Sequence, residues 1–252
     1  MASKAIRLGI LVPSSNTALE PLTTSILAAV NASRPDETPI TAHFSRFPVT
    51  EISLSQSALA QFELAPILAA AELLAHAHVD IIGWSGTSAG WLGFDRDVEL
   101  CAAIEKETGI KATTSVLALN KVLKLWGVKS LGLVTPYMDD VQAQIVSNYK
   151  NIGVEITSER HLNVQRNNEI AHISEDVLDE MVEDVKGKGV QAVTTFCTNL
   201  VAAQRVEYWE RMFSIPVFDT VTTVIWDMLC QIGENVSGTE DWGMIFQTEL
   251  PP

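Results

Sequence analysis

Apolar residues come along this chain in two alternating rhythms. Short unbroken runs such as Ile6-Arg7-Leu8-Gly9-Ile10-Leu11-Val12 end at a turn, as buried parallel strands do. Longer stretches, with apolar residues three and four apart, predict helices at about 17–30, 55–76 and 115–126, the last stopped by Gly127. Residues 79–84 read as a further strand. Strand and helix alternating from end to end is the signature of an α/β fold with parallel sheets.

After Gly127 the order starts again. Ser130-Leu131-Gly132-Leu133-Val134-Thr135-Pro136 echoes Leu8-Gly9-Ile10-Leu11-Val12-Pro13. Residues 190–199 lie without gaps on residues 79–88, which sets Cys197 against Gly86. Ile215-Pro216-Val217, leading into a helix from Asp219, answers Ile110-Lys111-Ala112, leading into the helix near Ser115. Gly9 to Gly132 is 123 residues, Gly86 to Cys197 is 111, and Ile110 to Ile215 is 105. Insertions in connecting loops produce such a drift. The pattern predicts two similar Rossmann-like halves related by a pseudo-two-fold. Residues 1–112 with 219–252 would form the first, and 113–218 the second. Ligands of such folds sit beyond the carboxyl ends of the strands, here in the cleft between the halves.

The four segments at those strand ends are Pro13-Ser14-Ser15-Asn16-Thr17, Ser85-Gly86-Thr87-Ser88-Ala89-Gly90, Thr135-Pro136-Tyr137-Met138-Asp139-Asp140 and Cys197-Thr198-Asn199. All are rich in small or hydroxyl-bearing residues, and none contains Lys, Arg or His. Hydroxyls and helix N-termini hold an anion without a fixed positive charge. Taken singly, Ser15, Thr17, Ser88 and Asn199 are ordinary helix caps. Converging beside a thiol, the four segments point to a carboxylate site. A free thiol, with a pKa of about 8.5, is mostly protonated at neutral pH and suits a general acid.

Composition narrows the field. The chain has 252 residues, 47% apolar and 19% charged, with a net charge of −14. Nucleic acid is not expected as a partner, because phosphate binding needs clustered Lys and Arg. No membrane span is expected, and the N-terminal residues lack the pattern of a signal peptide, so a cytoplasmic protein is expected. Cys101, Cys197 and Cys230 make neither metal spacing nor a disulfide framework, and the five histidines are scattered, so no metal is expected. Cys101 and Cys230 read as small core residues. Loops at 44–48 and 91–96 are expected to shape the pocket. The polar loop Arg166-Asn167-Asn168-Glu169 would lie at its border, and Trp84 and Trp91 bracket the Gly86 loop.

Val12-Pro13-Ser14-Ser15-Asn16-Thr17, Gly86-Thr87-Ser88, Thr135-Pro136-Tyr137 and Cys197-Thr198 together resemble the arylmalonate decarboxylase and maleate cis-trans isomerase branch of the aspartate/glutamate racemase superfamily. The resemblance covers about residues 6–230. Two-base members carry one cysteine at each of two symmetry-related strand ends. Cys197 is similar to the second, while Gly86 stands at the first, as in arylmalonate decarboxylases. The resemblance implies a cofactor-free enzyme that decarboxylates a malonate-type diacid through an enediolate. Ser15, Asn16, Thr87, Ser88, Tyr137 and Thr198 would surround the retained carboxylate, and Cys197 would deliver a proton to one face. It also implies open space at Gly86, and a single enantiomer as product. No metal, flavin, pyridoxal phosphate or nicotinamide is called for. A small mono- or dicarboxylate is the expected partner, and the oligomeric state is open. A maleate-type isomerase or a racemase is the alternative, and a non-catalytic carboxylate binder a third reading.

Overall fold

Leu8, Ile10, Leu11 and Val12 are wholly buried. A continuous apolar run is buried in this way when its strand lies inside a parallel sheet covered on both faces. In a computed structural model that describes residues 5–187, 189–234 and 239–248, this run is β1 (Ile6–Pro13). It lies between β2 (Ile40–Phe47) and β3 (Ile81–Trp84), with β4 (Ala112–Thr114) outside β3. A second sheet holds β5 (Ser130–Thr135), β6 (Glu155–His161), β7 (Ala192–Thr195) and β8 (Val217–Asp219) in the order β6-β5-β7-β8. Every pairing in both sheets is parallel. The N-terminal four residues, read above for targeting, lie outside the described residues.

Register reproduces the repeat. Leu11 pairs with Trp84 and Trp84 with Thr114; Val134 pairs with Thr195 and Thr195 with Asp219. Leu11 to Val134 is 123 residues, Trp84 to Thr195 is 111, and Thr114 to Asp219 is 105. The same three offsets seen in the sequence therefore join equivalent rungs of two sheets.

Helices cover both sheets. In the first half they are α1 (Leu19–Ser33), α2 (Gln56–Ala60), α3 (Leu64–His76), α4 (Ala89–Leu92) and α5 (Asp95–Thr108). Then come α6 (Ser115–Leu125), α7 (Asp139–Asn151), α8 (Asn167–Ile170), α9 (Glu175–Val185), α10 (Val206–Phe213) and α11 (Thr220–Gln231). Asp219 caps α11 by accepting from the N–H groups of Val221 (2.8 Å) and Thr222 (3.4 Å). From there α11, which follows the second sheet in the chain, packs on α6, α1 and β3.

Three features differ from the sequence reading. The edge strands β2 and β6 carry no clear apolar rhythm, because much of each faces outward, and they do not stand out in the sequence. Residues 44–47 accordingly belong to β2, and residues 91–96 to α4, α5 and their junction, rather than to open loops. The helix expected over 55–76 is broken between Ala60 and Leu64. Gln61 turns back there, accepting from the Thr50 N–H at 2.7 Å and donating to the Glu51 carbonyl at 3.1 Å. Gln56–His76 is long and apolar enough to cross a membrane by length and composition. In the fold, α3 instead lays Ile67, Ala70, Ala71 and Leu74 against β1, β2 and α5.

Candidate active site

The carboxyl ends of β1, β3, β5 and β7 meet at one small cavity. Pro13, Trp84, Gly86, Thr87, Ser88, Tyr137, Cys197 and Thr198 line it, with Val49, Ile52, Phe62, Trp91 and Asn167. It leaves about 20 Å³ to the centre of a water-sized sphere, on the scale of one or two waters. No Lys, Arg or His is among the lining residues. Phe62 and Ser88 also face an outer chamber of about 550 Å³ on the same measure, lined by Arg96, Asp97 and Leu100 among others. That chamber is much the larger, but the thiol and the hydroxyls face the inner cavity. The chemistry is therefore placed there.

Cys197 follows β7 directly and is 3% exposed. Burial pushes its thiol up to about 11. The Tyr137 hydroxyl and the backbone N–H groups of Asn199 and Leu200 bond the sulfur and pull in the opposite direction, while Asp219 adds to the rise. Tyr137 is itself pushed well above the usual phenol range by burial and by Cys197. Its oxygen lies 2.6 Å from Thr87 Oγ1, so Thr87, Tyr137 and Cys197 form one chain of groups across the cavity. The thiol stays protonated at neutral pH, while three donors wait to receive the thiolate that forms when the proton leaves.

Asn16 and Ser15 stand behind this surface. Asn16 Oδ1 accepts from the N–H groups of Ala18 (3.1 Å) and Leu19 (2.9 Å), opening α1. Its Nδ2 donates to Thr198 Oγ1 at 3.2 Å, and Thr198 Oγ1 donates to the Ser85 carbonyl at 3.3 Å. Ser15 Oγ donates to the Val49 carbonyl at 2.5 Å and accepts from Asn167 Nδ2 at 2.9 Å. The hydroxyl proton of Ser15 is thus engaged within the protein. The structure gathers Gly86, Thr87, Ser88, Tyr137, Cys197 and Thr198 on the cavity wall and sets Asn16 and Ser15 one layer back.

At Gly86 the structure corrects the sequence reading. The space beside it is filled, because a Cβ built there would meet the Trp84 indole at 2.1 Å. Three further contributors were not singled out as site residues. Asn167 lines the cavity from α8, and its only signal was the polar run 166–169. Asn199 Oδ1 accepts from the Thr17 (3.0 Å) and Ala18 (3.2 Å) N–H groups, and its Nδ2 donates to the Asn167 carbonyl. Arg46, on the unread strand β2, donates to the carbonyls of Ser14 (3.0 Å) and Asn16 (2.9 Å). It holds the first strand-end loop without reaching the cavity. Among the described residues, no group of three or more His, Cys, Asp or Glu is placed to hold a metal.

The chain is similar to known proteins over most of its length. A model of the arylmalonate decarboxylase family matches residues 35–244. The maleate isomerase of Alcaligenes faecalis is 25% identical over 234 residues, covering 91% of this chain and 92% of that protein. The arylmalonate decarboxylase of Bordetella bronchiseptica is 21% identical over 169 residues, covering 66% of this chain and 70% of that protein. A crystal structure of the maleate isomerase Iso from Pseudomonas putida superposes with a TM-score of 0.87 at 22% identity, covering 96% of this chain and 98% of that one. The fold is the one shared by these enzymes.

Proposed function

Because the chain belongs to the arylmalonate decarboxylase family, we propose that it removes carbon dioxide from a malonate-type diacid and gives the resulting enediolate one proton from Cys197. The observation that supports this reading is a single buried thiol, held at about pKa 11, on a cavity whose opposite strand end is glycine. One carboxylate of the substrate is retained by the hydroxyl of Ser88 and by those of Thr87 and Thr198, which turn to it from Tyr137 and the Ser85 carbonyl, while Tyr137 keeps its proton for Cys197. The other leaves as neutral carbon dioxide, and the electron pair of the broken C–C bond enters the retained carboxylate as an enediolate. Fixed donors stabilise that charge more effectively than reorganising water, and one such donor is worth about 3 kcal/mol of barrier. The S–H bond of Cys197 then breaks toward the α-carbon. Tyr137 and the Asn199 and Leu200 N–H groups hold the thiolate until water restores its proton.

A second reading is cis-trans isomerisation of an unsaturated diacid. The relatives named maleate isomerase favour it, the Alcaligenes protein matching over about nine-tenths of both chains. Addition of Cys197 to a double bond would require the thiolate. Burial favours the neutral thiol over that thiolate. Acid chemistry fits that thiol better than nucleophilic chemistry.

Purified protein incubated with 2-methyl-2-phenylmalonate, methylmalonate and maleate separates the readings. Carbon dioxide is expected from a malonate, with the 2-phenylpropionate formed from the aryl substrate as one enantiomer, and Cys197→Ala should lower turnover at least about a hundredfold. Conversion of maleate to its trans isomer, with no carbon dioxide from either malonate, would overturn the decarboxylase reading.

A further inference from the structure

Trp84 and Gly86 stand two residues apart at the end of β3, so in an extended chain their side-chain positions share a face. A Cβ on Gly86 would lie 2.1 Å from Trp84 Cζ2, 2.4 Å from Cε2 and 2.6 Å from Cη2. Cζ2 is bonded to both of the other atoms. Near-equal distances on its two sides put that point over the face of the ring, since a point beyond the ring edge would be distinctly farther from both neighbours. The indole therefore lies flat on the glycine. It packs against Phe47 on β2, with ring centres 4.9 Å apart, and is 1% exposed. Its Nε1–H has no hydrogen-bond partner among the described residues, so packing alone holds it.

The second half reverses the sizes. Thr195 and Cys197 occupy the places of Trp84 and Gly86 in the repeat, as the register shows. Thr195 is small, and its hydroxyl donates to Asp219 at 2.7 Å. Where the residue two before is small, a side chain fits at the strand end; where it is tryptophan, only glycine does.

We infer that Trp84 is the specificity-determining residue of this site. Its indole fills the volume of a first-half acid and covers the face of the enediolate opposite Cys197 with an aromatic surface that excludes water. The single configuration of the product is then set by Trp84 as well as by the lack of a second cysteine. This rests on the decarboxylase reading above for its stereochemical part, while its packing part stands independently.

Three variants test it: Trp84→Val, which copies the shape of Thr195, Gly86→Cys, and the two combined. Melting temperature, enantiomeric ratio of the monoacid, and exchange of its α-hydrogen with deuterium are measured for each. Trp84→Val is expected to lower the enantiomeric ratio at least about tenfold, because water reaches the uncovered face. Gly86→Cys alone should melt several degrees lower than wild type and show no added exchange, its side chain colliding with the ring. The pair should melt no lower than Trp84→Val and exchange at least about tenfold faster than wild type, with an acid on each face. An unchanged enantiomeric ratio in Trp84→Val would overturn the inference. So would a Gly86→Cys variant as stable as wild type and exchanging as fast as the pair. If wild type releases no carbon dioxide from any malonate, the decarboxylase reading fails by itself. The melting temperatures still decide the packing claim: a cost of Gly86→Cys that disappears when Trp84 is valine supports it, and an equal cost in both backgrounds sinks it.

Discussion

At Cys197, burial outweighs three hydrogen-bond donors. Desolvation pushes the thiol up to about 11 although Tyr137 and two backbone N–H groups favour its ionised form. Tyr137 is thus positioned to stabilise the product of proton transfer rather than the resting thiol. Tyr137→Phe removes a bond that lowers the thiol, so the Cys197 titration should move higher still, read from the ultraviolet absorbance of the thiolate. Turnover should fall about tenfold to a thousandfold from loss of that donor. In wild type, a rate that needs the protonated thiol holds level through neutral pH and declines only as pH nears 11. A thiol titrating near pH 8 in folded protein would contradict the assignment.

Elements meet across the cleft by exchanging caps. Helix α1 belongs to the first half, yet its first N–H groups are satisfied partly by Asn199 from the loop after β7. The same side chain donates to the Asn167 carbonyl at the mouth of α8. Asn199→Ala would leave the part-buried Thr17 N–H and the buried Asn167 carbonyl without these partners. A stability loss of about 1–3 kcal/mol is expected, measured as a shift of the urea unfolding midpoint. A change within a few tenths would mean that Asn16, which also accepts from the Ala18 N–H, caps the helix alone.

Over the whole molecule, buried acids set the pH response. Burial raises Asp97 to about 7, Glu210 to about 7 and Asp219 to about 6, from ordinary values of 3.8, 4.5 and 3.8. An acid raised by folding binds its proton more tightly in the native state than in the unfolded chain. Its contribution is therefore full below about pH 4 and lost as pH climbs through 6 and 7. His161, raised by Asp139 and Glu159 against the opposing effect of burial, loses its contribution in the same direction. Growing negative charge on a chain with a net −14 adds repulsion over the same range. The urea midpoint should accordingly fall from pH 5 to pH 8. Glu210→Gln should flatten the curve, since the amide does not titrate, and should lower the midpoint at pH 8, since its nitrogen cannot accept from one of the Val217 and Met244 N–H groups that the two carboxyl oxygens take. A midpoint that rises over that interval would refute this account.

The sequence by itself determined the α/β class, the duplication and its three offsets, and the strand ends that carry the hydroxyls and the thiol. Those properties are periodic or collinear: a buried run such as residues 8–12 and a gapless match such as 190–199 on 79–88 need no knowledge of distant residues. Tertiary structure alone decided the rest. Edge strands β2 and β6 are illegible because half-exposed strands lack a continuous apolar signal. Asn16 meets Thr198 across 182 positions, a contact that no local pattern encodes. The emptiness inferred at Gly86 failed for the same reason at shorter range. Glycine shows that a side chain is missing, but whether space or another side chain fills the place depends on which way Trp84 turns and on the Phe47 ring that packs against it. Packing in three dimensions, not spacing along the chain, sets that choice.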